Sequence, residues 1–313
     1  MAEDLFSRRL QNFAQYGDLL GFNLACVAEA LDTIAHLNEL NVGGEVVQER
    51  IGEFKEWDPE IFRVDKDCED GYVRRLEERG QPTILLSEEA ERVELNTSAT
   101  GEPIYAVSDP FDGSYLFKRG IPDFWYTSLA FYSHEGKPLT AVVGDAVHGV
   151  MAFASDQGAY VGRLAGDRLE HVFALNAEYR RRMGRKVVQE IEEASVESYA
   201  MKPGSFLKPL VDEYAPLLYA FKFFLPNGGP YGFVDVAEGK IDVYFARQQP
   251  FVDVFPGLLI ALQGETVVTD FSGGPVQFVP DVHTRFDVLV STNRTLHDKV
   301  LEEIARCRGG GQE

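Results

Sequence analysis

Apolar residues in the first part of the chain recur at intervals of three and four positions, which is the period of an amphipathic helix. The clearest run is Leu24, Val27, Leu31 and Ile34. This spacing predicts two or three helices between residue 5 and about residue 52. A further helix is predicted over residues 67–79, ended by the helix-breaking Gly80-Gln81-Pro82.

The pattern then changes to short apolar runs separated by turn residues, which is typical of strands. The predicted strands cover residues 83–86, 104–108, 125–132, 139–143, 150–153 and 158–161. Together with the preceding helices they indicate an α+β lobe whose sheet is largely antiparallel. We place this N-terminal lobe at residues 1–174.

Helices and strands alternate in the second half of the chain. The helices are predicted at residues 231–238, 255–263 and 297–306, and the strands at 241–245, 266–269 and 286–291. Such alternation favours an α/β lobe, which we place at residues 175–313.

Composition narrows the class of protein. The chain has 313 residues, 45% of them hydrophobic, and a formal net charge of -20. A chain this acidic is a poor ligand for DNA or RNA, since such binding needs clustered Lys and Arg. The one basic cluster, Arg180-Arg181-Arg182 with Arg185 and Lys186, is either a solvated surface or an anion contact.

The cellular compartment is predicted from the absence of membrane-spanning, secretory and disulfide patterns. No apolar run reaches the roughly 18 residues that cross a bilayer, and the first ten residues lack the order of a secretory signal. The three cysteines are widely spaced and form no metal-binding pair. These features predict a cytoplasmic protein without a membrane partner.

Candidate chemistry begins with Asp109 and Asp112, in the segment Asp109-Pro110-Phe111-Asp112-Gly113-Ser114 directly after a predicted strand. Two carboxylates so close repel each other unless a cation lies between them. Hard oxygen ligands select Mg²⁺, Mn²⁺ or Ca²⁺. An ordinary Asp-Pro-x-Asp-Gly turn is the alternative.

Four more acidic residues stand out. Glu88 and Glu89 follow another predicted strand, where a solvated loop is the alternative to a ligand site. Asp253 is isolated within the apolar stretch 251–255, and Asp65 precedes a predicted helix. Either could cap a helix, bind a metal, or do both, because a buried carboxylate needs a partner.

The order of these motifs resembles the inositol monophosphatase family, whose superfamily includes fructose-1,6-bisphosphatase. The similarity covers roughly residues 31–304 and is weakest between about 175 and 225. The matching motifs are Gly43-Gly44-Glu45-Val46-Val47, Asp65 with Glu69, Ser87-Glu88-Glu89, the segment 109–114, Gly158-Ala159-Tyr160, the segment 236–244, Asp253 before a helix ending at Gly264, and the segment 293–297.

The resemblance implies a layered α-β-α-β-α sandwich, and an enzyme that hydrolyses a phosphate monoester with Mg²⁺-activated water. It implies two or three Mg²⁺ per site, Li⁺ sensitivity and a homodimer. By the same resemblance, the metal ligands are Glu88, Asp109, the carbonyl of Phe111, Asp112 and Asp253. The catalytic residues are Asp65, Ser114 and Glu88, and the amides of Gly113 and Ser114 receive the phosphate.

The substrate pocket departs from the family pattern. Val252 stands where many members have Trp, and Ala246 with Arg247 stands where inositol phosphatases carry a substrate-binding Glu. Ala246 and Arg247 are therefore candidate substrate contacts, with Arg247 meeting a second phosphate or a sugar hydroxyl; a surface arginine is the alternative.

The substrate itself stays open among small phosphorylated metabolites. The candidates are an inositol phosphate, a sugar phosphate such as fructose 1,6-bisphosphate, and a nucleotide 3′-phosphate. A catalytically silent relative that binds metal or ligand is the rival of another class. Residues 1–30 have no family counterpart, and their apolar faces predict packing onto the sandwich or onto a dimer partner.

Overall fold

A computed structural model describes residues 4–50 and 59–309. The predicted N-terminal helices are present as α1 (Leu5–Phe13) and α2 (Asp18–Glu39). The side chain of Asp4 caps α1 by accepting a hydrogen bond from the amide of Ser7 at 2.9 Å.

The helical prediction is wrong after α2. Val46–Glu49 forms strand β1, which pairs antiparallel with β2 (Glu60–Phe62). Gly43, at φ 103°, breaks the helical path, and the β-branched pair Val46-Val47 favours a strand. The predicted helical stretch also includes residues 51–52, which lie outside the described residues.

Among the described residues, α2 is the one helix long and apolar enough to cross a membrane by length and composition, with a mean hydropathy of 1.2. In the protein, 67% of that window is buried. Asn23, fully buried, donates to the carbonyl of Leu129 at 3.0 Å and to the hydroxyl of Thr140 at 3.2 Å. The helix thus packs across the sheet that follows.

An eight-stranded sheet follows helix α3 (Arg63–Arg79). Its strands are β3 (Thr83–Ser87), β4 (Glu91–Leu95), β5 (Ile104–Asp112), β6 (Tyr126–Tyr132), β7 (Pro138–Asp145), β8 (Val150–Ser155), β9 (Gly158–Ala165) and β10 (Arg168–Ala174), with α4 (Ser114–Lys118) between β5 and β6. The order is β10-β9-β8-β7-β6-β5-β3-β4. Only the β3–β5 pair is parallel among the strand pairs of this sheet in the described chain.

A second sheet has five strands in the order β12-β11-β13-β15-β14. The elements of this half are α5 (Ala177–Arg182), β11 (Ser195–Glu197), α6 (Lys208–Ala220), β12 (Phe223–Leu225), α7 (Pro230–Glu238), β13 (Val243–Pro250), α8 (Phe251–Gln263), β14 (Val267–Asp270), β15 (Arg285–Ser291) and α9 (Arg294–Gly309). Helix α8 begins four residues before its predicted start, so Asp253 lies inside its first turn.

Three apolar clusters define five layers. Helices α2 and α3 pack on one face of the large sheet, and α7 and α8 pack on its other face and against the second sheet. Helices α6 and α9 cover the far side of the second sheet. The predicted α-β-α-β-α sandwich is thereby confirmed. The large sheet ends at Ala174 and the second begins at Ser195; because they share one core, the division into two lobes stays a prediction.

Part of the basic cluster is structural. Arg180 is buried and donates to the carbonyls of Ala237 at 3.0 Å, Gly264 at 2.8 Å and Glu265 at 3.1 Å. These carbonyls belong to the C-terminal ends of α7 and α8, where backbone acceptors lack helical partners. Arg180 therefore ties two central helices together, so a solvated surface and an anion contact are both wrong for this residue.

Candidate active site

The acidic residues meet because two parallel strands end side by side. Strands β3 and β5 are neighbours, with Ser87 opposite Ser108. The next residues along the two strands are Glu88 and Asp109, so both carboxylates emerge at the same edge of the large sheet. The parallel pair in an otherwise antiparallel sheet thus brings together two motifs that lie about twenty residues apart in sequence.

A bulge lets two carboxylates of β5 serve one site. Asp109 lies opposite Ser128, whereas Asp112 lies opposite Tyr126, so β5 contains one residue more than β6 between these pairs. Side chains three apart in a regular strand point to opposite faces. The extra residue changes that alternation, and Asp109 and Asp112 both line the same cavity.

Gly113 turns the chain from β5 into α4. Its φ is 104°, and a Cβ atom there would lie 2.1 Å from the carbonyl oxygen of Phe124. Only glycine fits this backbone and this contact. Ser114 then starts α4, and both residues line the cavity.

Asp65 and Ser114 form a hydrogen-bonded pair. The Ser114 hydroxyl lies 2.5 Å from Asp65 Oδ1 and 3.1 Å from the carbonyl oxygen of Phe111. The other Asp65 oxygen accepts the amide of Phe62 at 2.7 Å and so caps α3. Burial raises the pKa of Asp65 to about 8. The carboxyl group of Asp65 is thus fixed from two sides.

Asp253 reaches the same cavity from the first turn of α8. Close by, Gly229 presses against Asp112: a Cβ atom on Gly229 would lie 2.2 Å from Asp112 Oδ2. Gly229 has φ 68° and ψ -161°, a backbone region that is essentially restricted to glycine. Its missing side chain leaves the space that Asp112 occupies.

One cavity of about 680 Å³ contains these groups. Its lining includes Glu88, Asp109, Phe111, Asp112, Gly113, Ser114 and Asp253, together with Lys202, Asn227 and Gly229. Asp65 is buried behind Ser114. The volume lies within the range that is usual for small-molecule sites.

The carboxylates of the cavity repel one another. Burial raises the pKa of Asp109 far above its ordinary value, and the charges of Glu88, Asp112 and Asp253 raise it further. Burial also raises the pKa of Asp253, as do Asp112 and Glu88, while Arg285 and Lys202 lower it. In the described part of the chain, Asp109 Oδ1 is buried and has no hydrogen-bond partner. Such oxygen donors fit a hard divalent cation.

Arg50 occupies one side of this set. Its guanidinium, which is buried, contacts Glu88 Oε1 and Glu89 Oε1, each at 2.5 Å. Of the side chains that the structure describes, no three acids, histidines or cysteines are close enough to hold a metal ion as they stand. A cation bound at Glu88 would have to displace the Arg50 guanidinium from it.

Two predicted substrate contacts are not brought to the cavity. Ala246 is fully buried in β13, and Arg247 pairs with Glu213 on the outside, with its Nε 3.0 Å from Glu213 Oε2. Neither is among the lining residues.

Several residues of the site were not predicted. Arg50, Lys202, Asn227 and Gly229 enter it from segments that carry no acidic motif. Glu69, noted only as part of a motif, accepts hydrogen bonds from the Ser87 hydroxyl and, at 3.2 Å, from the amide of Ala90. It thereby holds the end of β3. Among these residues, Gly229 had a sequence signal, because the pair Gly228-Gly229 lies directly before an apolar helix.

The sequence model of the inositol monophosphatase family matches residues 27–308. The chain therefore belongs to the inositol monophosphatase family, a family of phosphatases that are generally metal-dependent. A search of curated protein sequences found no match.

Solved structures agree on the fold. The extragenic suppressor protein suhB from Bartonella henselae has 17% identity and a TM-score of 0.69, over 91% of this chain and 98% of that one. Inositol monophosphatase from Anabaena has 15% identity and a TM-score of 0.68, over 93% and 97%. The Staphylococcus aureus enzyme SaIMPase-II, solved with inositol monophosphate bound, has 20% identity and a TM-score of 0.66, over 92% and 93%.

Proposed function

We propose that this protein is a Mg²⁺-dependent phosphomonoesterase that hydrolyses a small phosphorylated metabolite. The observation that supports it best is one cavity lined by Glu88, Asp109, Asp112 and Asp253, with the Asp65–Ser114 pair at its wall. These four carboxylates and the carbonyl of Phe111 would hold the metal. When bound, Mg²⁺ supplies Lewis-acid stabilisation of the charge on the phosphate.

The chain's own groups supply proton transfer and orientation. The Ser114 hydroxyl donates a hydrogen bond to Asp65 and can accept a hydrogen bond from a water molecule. The pair can therefore orient that water and take up its proton. The amides of Gly113 and Ser114 lie where the chain enters α4 and would receive the phosphate oxygens. The structures of SaIMPase-II with inositol monophosphate and with 2′AMP bound support small phosphorylated ligands as candidates.

The test is phosphate release from inositol 1-phosphate, fructose 1,6-bisphosphate and 3′-phosphoadenosine 5′-phosphate, with Mg²⁺ and with EDTA. We expect release only with Mg²⁺. Asp112→Asn should reduce turnover at least about 100-fold, because it weakens the metal site that would stabilise the charge of the transition state. Asp156→Asn, on an exposed turn, is the matched control and should behave as wild type.

A catalytically silent relative is the competing proposal, and the Arg50–Glu88 ion pair favours it because that contact occupies a predicted metal ligand. Calorimetric titration with Mg²⁺ separates the two. Binding of Mg²⁺ without hydrolysis of any ester would support the silent relative. Mg²⁺-dependent hydrolysis that Asp112→Asn abolishes would exclude it.

A further inference from the structure

A buried acid lies directly behind one residue of the cavity wall. Glu197 is the last residue of β11, which runs parallel to β12, and it lies opposite Leu225 at the end of that strand. Asn227 follows two residues after Leu225 and lines the cavity. The Asn227 amide nitrogen donates to Glu197 Oε1 at 2.8 Å, and both side chains are buried. A carboxyl group thus holds a cavity residue from behind.

Glu197 also meets a second acid. The carboxyl group of Asp235, in α7, lies within hydrogen-bonding reach of Glu197. Among the described residues, no N–H or O–H donor reaches the buried Glu197 Oε2. Two carboxylates are both acceptors, so one of them has to be protonated before they can bond. Burial and the charge of Asp235 raise the pKa of Glu197 well above its ordinary value. The pair therefore shares one proton.

The charges around the pair assign that proton to Glu197. Lys240 Nζ lies 3.4 Å from Asp235 Oδ1 and also pairs with Glu238, so the ammonium group favours an ionised Asp235. Burial raises the pKa of Asp235 only to about 6, which leaves it ionised at pH 7 and above. Other titratable groups that face the pair are phenols whose pKa burial raises, so they stay neutral: Tyr126 of β6, Tyr231 of α7 and Tyr244 of β13.

The turn after Asn227 extends this anchor to the predicted metal ligands. Gly228 and Gly229 follow Asn227 directly, and Gly229 leaves the space that Asp112 occupies. A buried amide without a partner is costly, so without Glu197 the Asn227 side chain would have to move to find another. The bond between Glu197 and Asn227 therefore sets where this turn begins.

We propose that Glu197 is a positioning residue that stays protonated in the folded protein, donates to Asp235, and fixes Asn227 and the Gly228-Gly229 turn at the cavity. This inference rests on the proposed function, because that is the reaction the residue would serve. Glu197 is not among the lining residues, so it acts through Asn227.

The protonation is tested without an activity assay, by urea unfolding of wild type and Glu197→Gln between about pH 5 and pH 8. Gln imitates the protonated acid, since it can accept from Asn227 and donate to Asp235. The unfolded chain loses the Glu197 proton near about pH 4.3 and the folded chain keeps it, so this contribution to wild-type stability falls as the pH rises. The ratio of the two unfolding constants should change by up to about ten-fold per pH unit in favour of Glu197→Gln. Glu193→Gln removes an exposed acid before β11 and should keep the wild-type pH dependence.

The positioning role is tested by a double-mutant cycle on Mg²⁺-dependent phosphate release. The substrate is whichever of inositol 1-phosphate, fructose 1,6-bisphosphate and 3′-phosphoadenosine 5′-phosphate wild type hydrolyses fastest. Glu197→Leu and Asn227→Ala should each lower kcat/KM about ten-fold under conditions where urea unfolding shows them folded. The double variant should lose no more than Asn227→Ala alone, because the two residues act as one unit.

Two conservative variants complete the cycle. Glu197→Gln should keep kcat/KM within about three-fold of wild type, because it preserves both hydrogen bonds. Glu197→Asp keeps the acid but shortens its reach, and it replaces Glu197→Leu in the cycle if the leucine variant does not fold.

Each opposite result overturns the inference. Equal pH dependence in wild type and Glu197→Gln means that Glu197 is ionised in the folded protein. A loss of activity in Glu197→Gln as large as in Glu197→Leu means that its charge is required. Additive losses in the cycle mean that Glu197 supports the fold independently of Asn227. If wild type hydrolyses none of the esters, the proposed function and the positioning role both fall, while urea unfolding still decides the protonation of Glu197.

Discussion

Gly229 offers a sharp test of how Asp112 is positioned. In Gly229→Ala the new methyl group would start 2.2 Å from Asp112 Oδ2, whereas ordinary contacts begin at 3.4 Å. The Asp112 carboxylate therefore has to move by more than about 1 Å. A displacement of that size in a catalytic group costs roughly 100-fold in rate. The alanine also enters a backbone region that costs about 1–3 kcal/mol for a residue with a side chain.

The assay is Mg²⁺-dependent phosphate release, measured across a range of Mg²⁺ concentrations, together with urea unfolding without metal. We expect kcat/KM to fall roughly 100-fold and the Mg²⁺ requirement to rise. Without metal, the free energy of unfolding should fall by about 1–3 kcal/mol. The larger effect is on activity because the displaced group belongs to the site.

The matched control is Gly80→Ala. Gly80 also has a positive φ, 72°, but no atom lies within 4 Å of the added Cβ. This variant should lose stability and keep its Mg²⁺ dependence. If Gly229→Ala retains activity within about three-fold of wild type, or if Gly80→Ala loses as much, then the contact with Asp112 does not set the geometry of the site.

Three further variants test other parts of the structure. Asp65→Asn removes the proton acceptor of Ser114 and should lower kcat about 10²- to 10⁴-fold. Thermal unfolding should show no loss of stability, since the amide oxygen of Asn can still accept the hydrogen bond from the amide of Phe62. Retained activity would exclude the Asp65–Ser114 pair from catalysis. Arg180→Met removes the side-chain donor of three carbonyls, two of them buried, and should lower the free energy of unfolding by about 3 kcal/mol. The exposed Arg181→Met should not lower it. Equal effects of the two variants in urea unfolding would contradict the capping role. Burial lowers the pKa of His297 from 6.5 to about 4. Between these pH values the unfolded chain binds a proton at His297 and the folded chain does not. The free energy of unfolding should therefore fall as the pH drops from about 6.5 to 4, by roughly 3 kcal/mol in all. The slope should flatten in His297→Gln, and an unchanged slope would refute this account.

Much of the site could be predicted because its ligands are carboxylates at strand ends. Asp109, Asp112 and Asp253 each follow or interrupt an apolar segment, where a charge has no reason to occur without a partner. Taken alone, Glu88 was a weaker candidate, and the order of its motif among the others made its prediction as a site residue convincing. The structure brings all four to one cavity, although their metal roles stay predictions.

The remaining features depend on contacts that the sequence does not display. Strands β4 and β10 were not predicted because they have mostly polar or exposed positions at the two edges of the large sheet. The helical prediction that starts at residue 5 was extended beyond the end of α2, so strand β1 was missed. Lys202 and Arg50 could not be assigned, since a single basic residue outside any motif carries no signal until the fold places it beside acids.

The position of α8 between the two sheets has a consequence for how substrate is captured. Hinge closure needs two bodies joined by a boundary with few contacts. Here α8 packs against strands of both sheets, and the Tyr132 hydroxyl of the large sheet donates to the carbonyl of Phe255 in α8 at 2.6 Å. The two sheets are therefore joined by a packed helix, and not by a boundary with few contacts. The spacing between Asp109 and Asp253 is set when the chain folds, so binding energy from the substrate is not spent on bringing these carboxylates together.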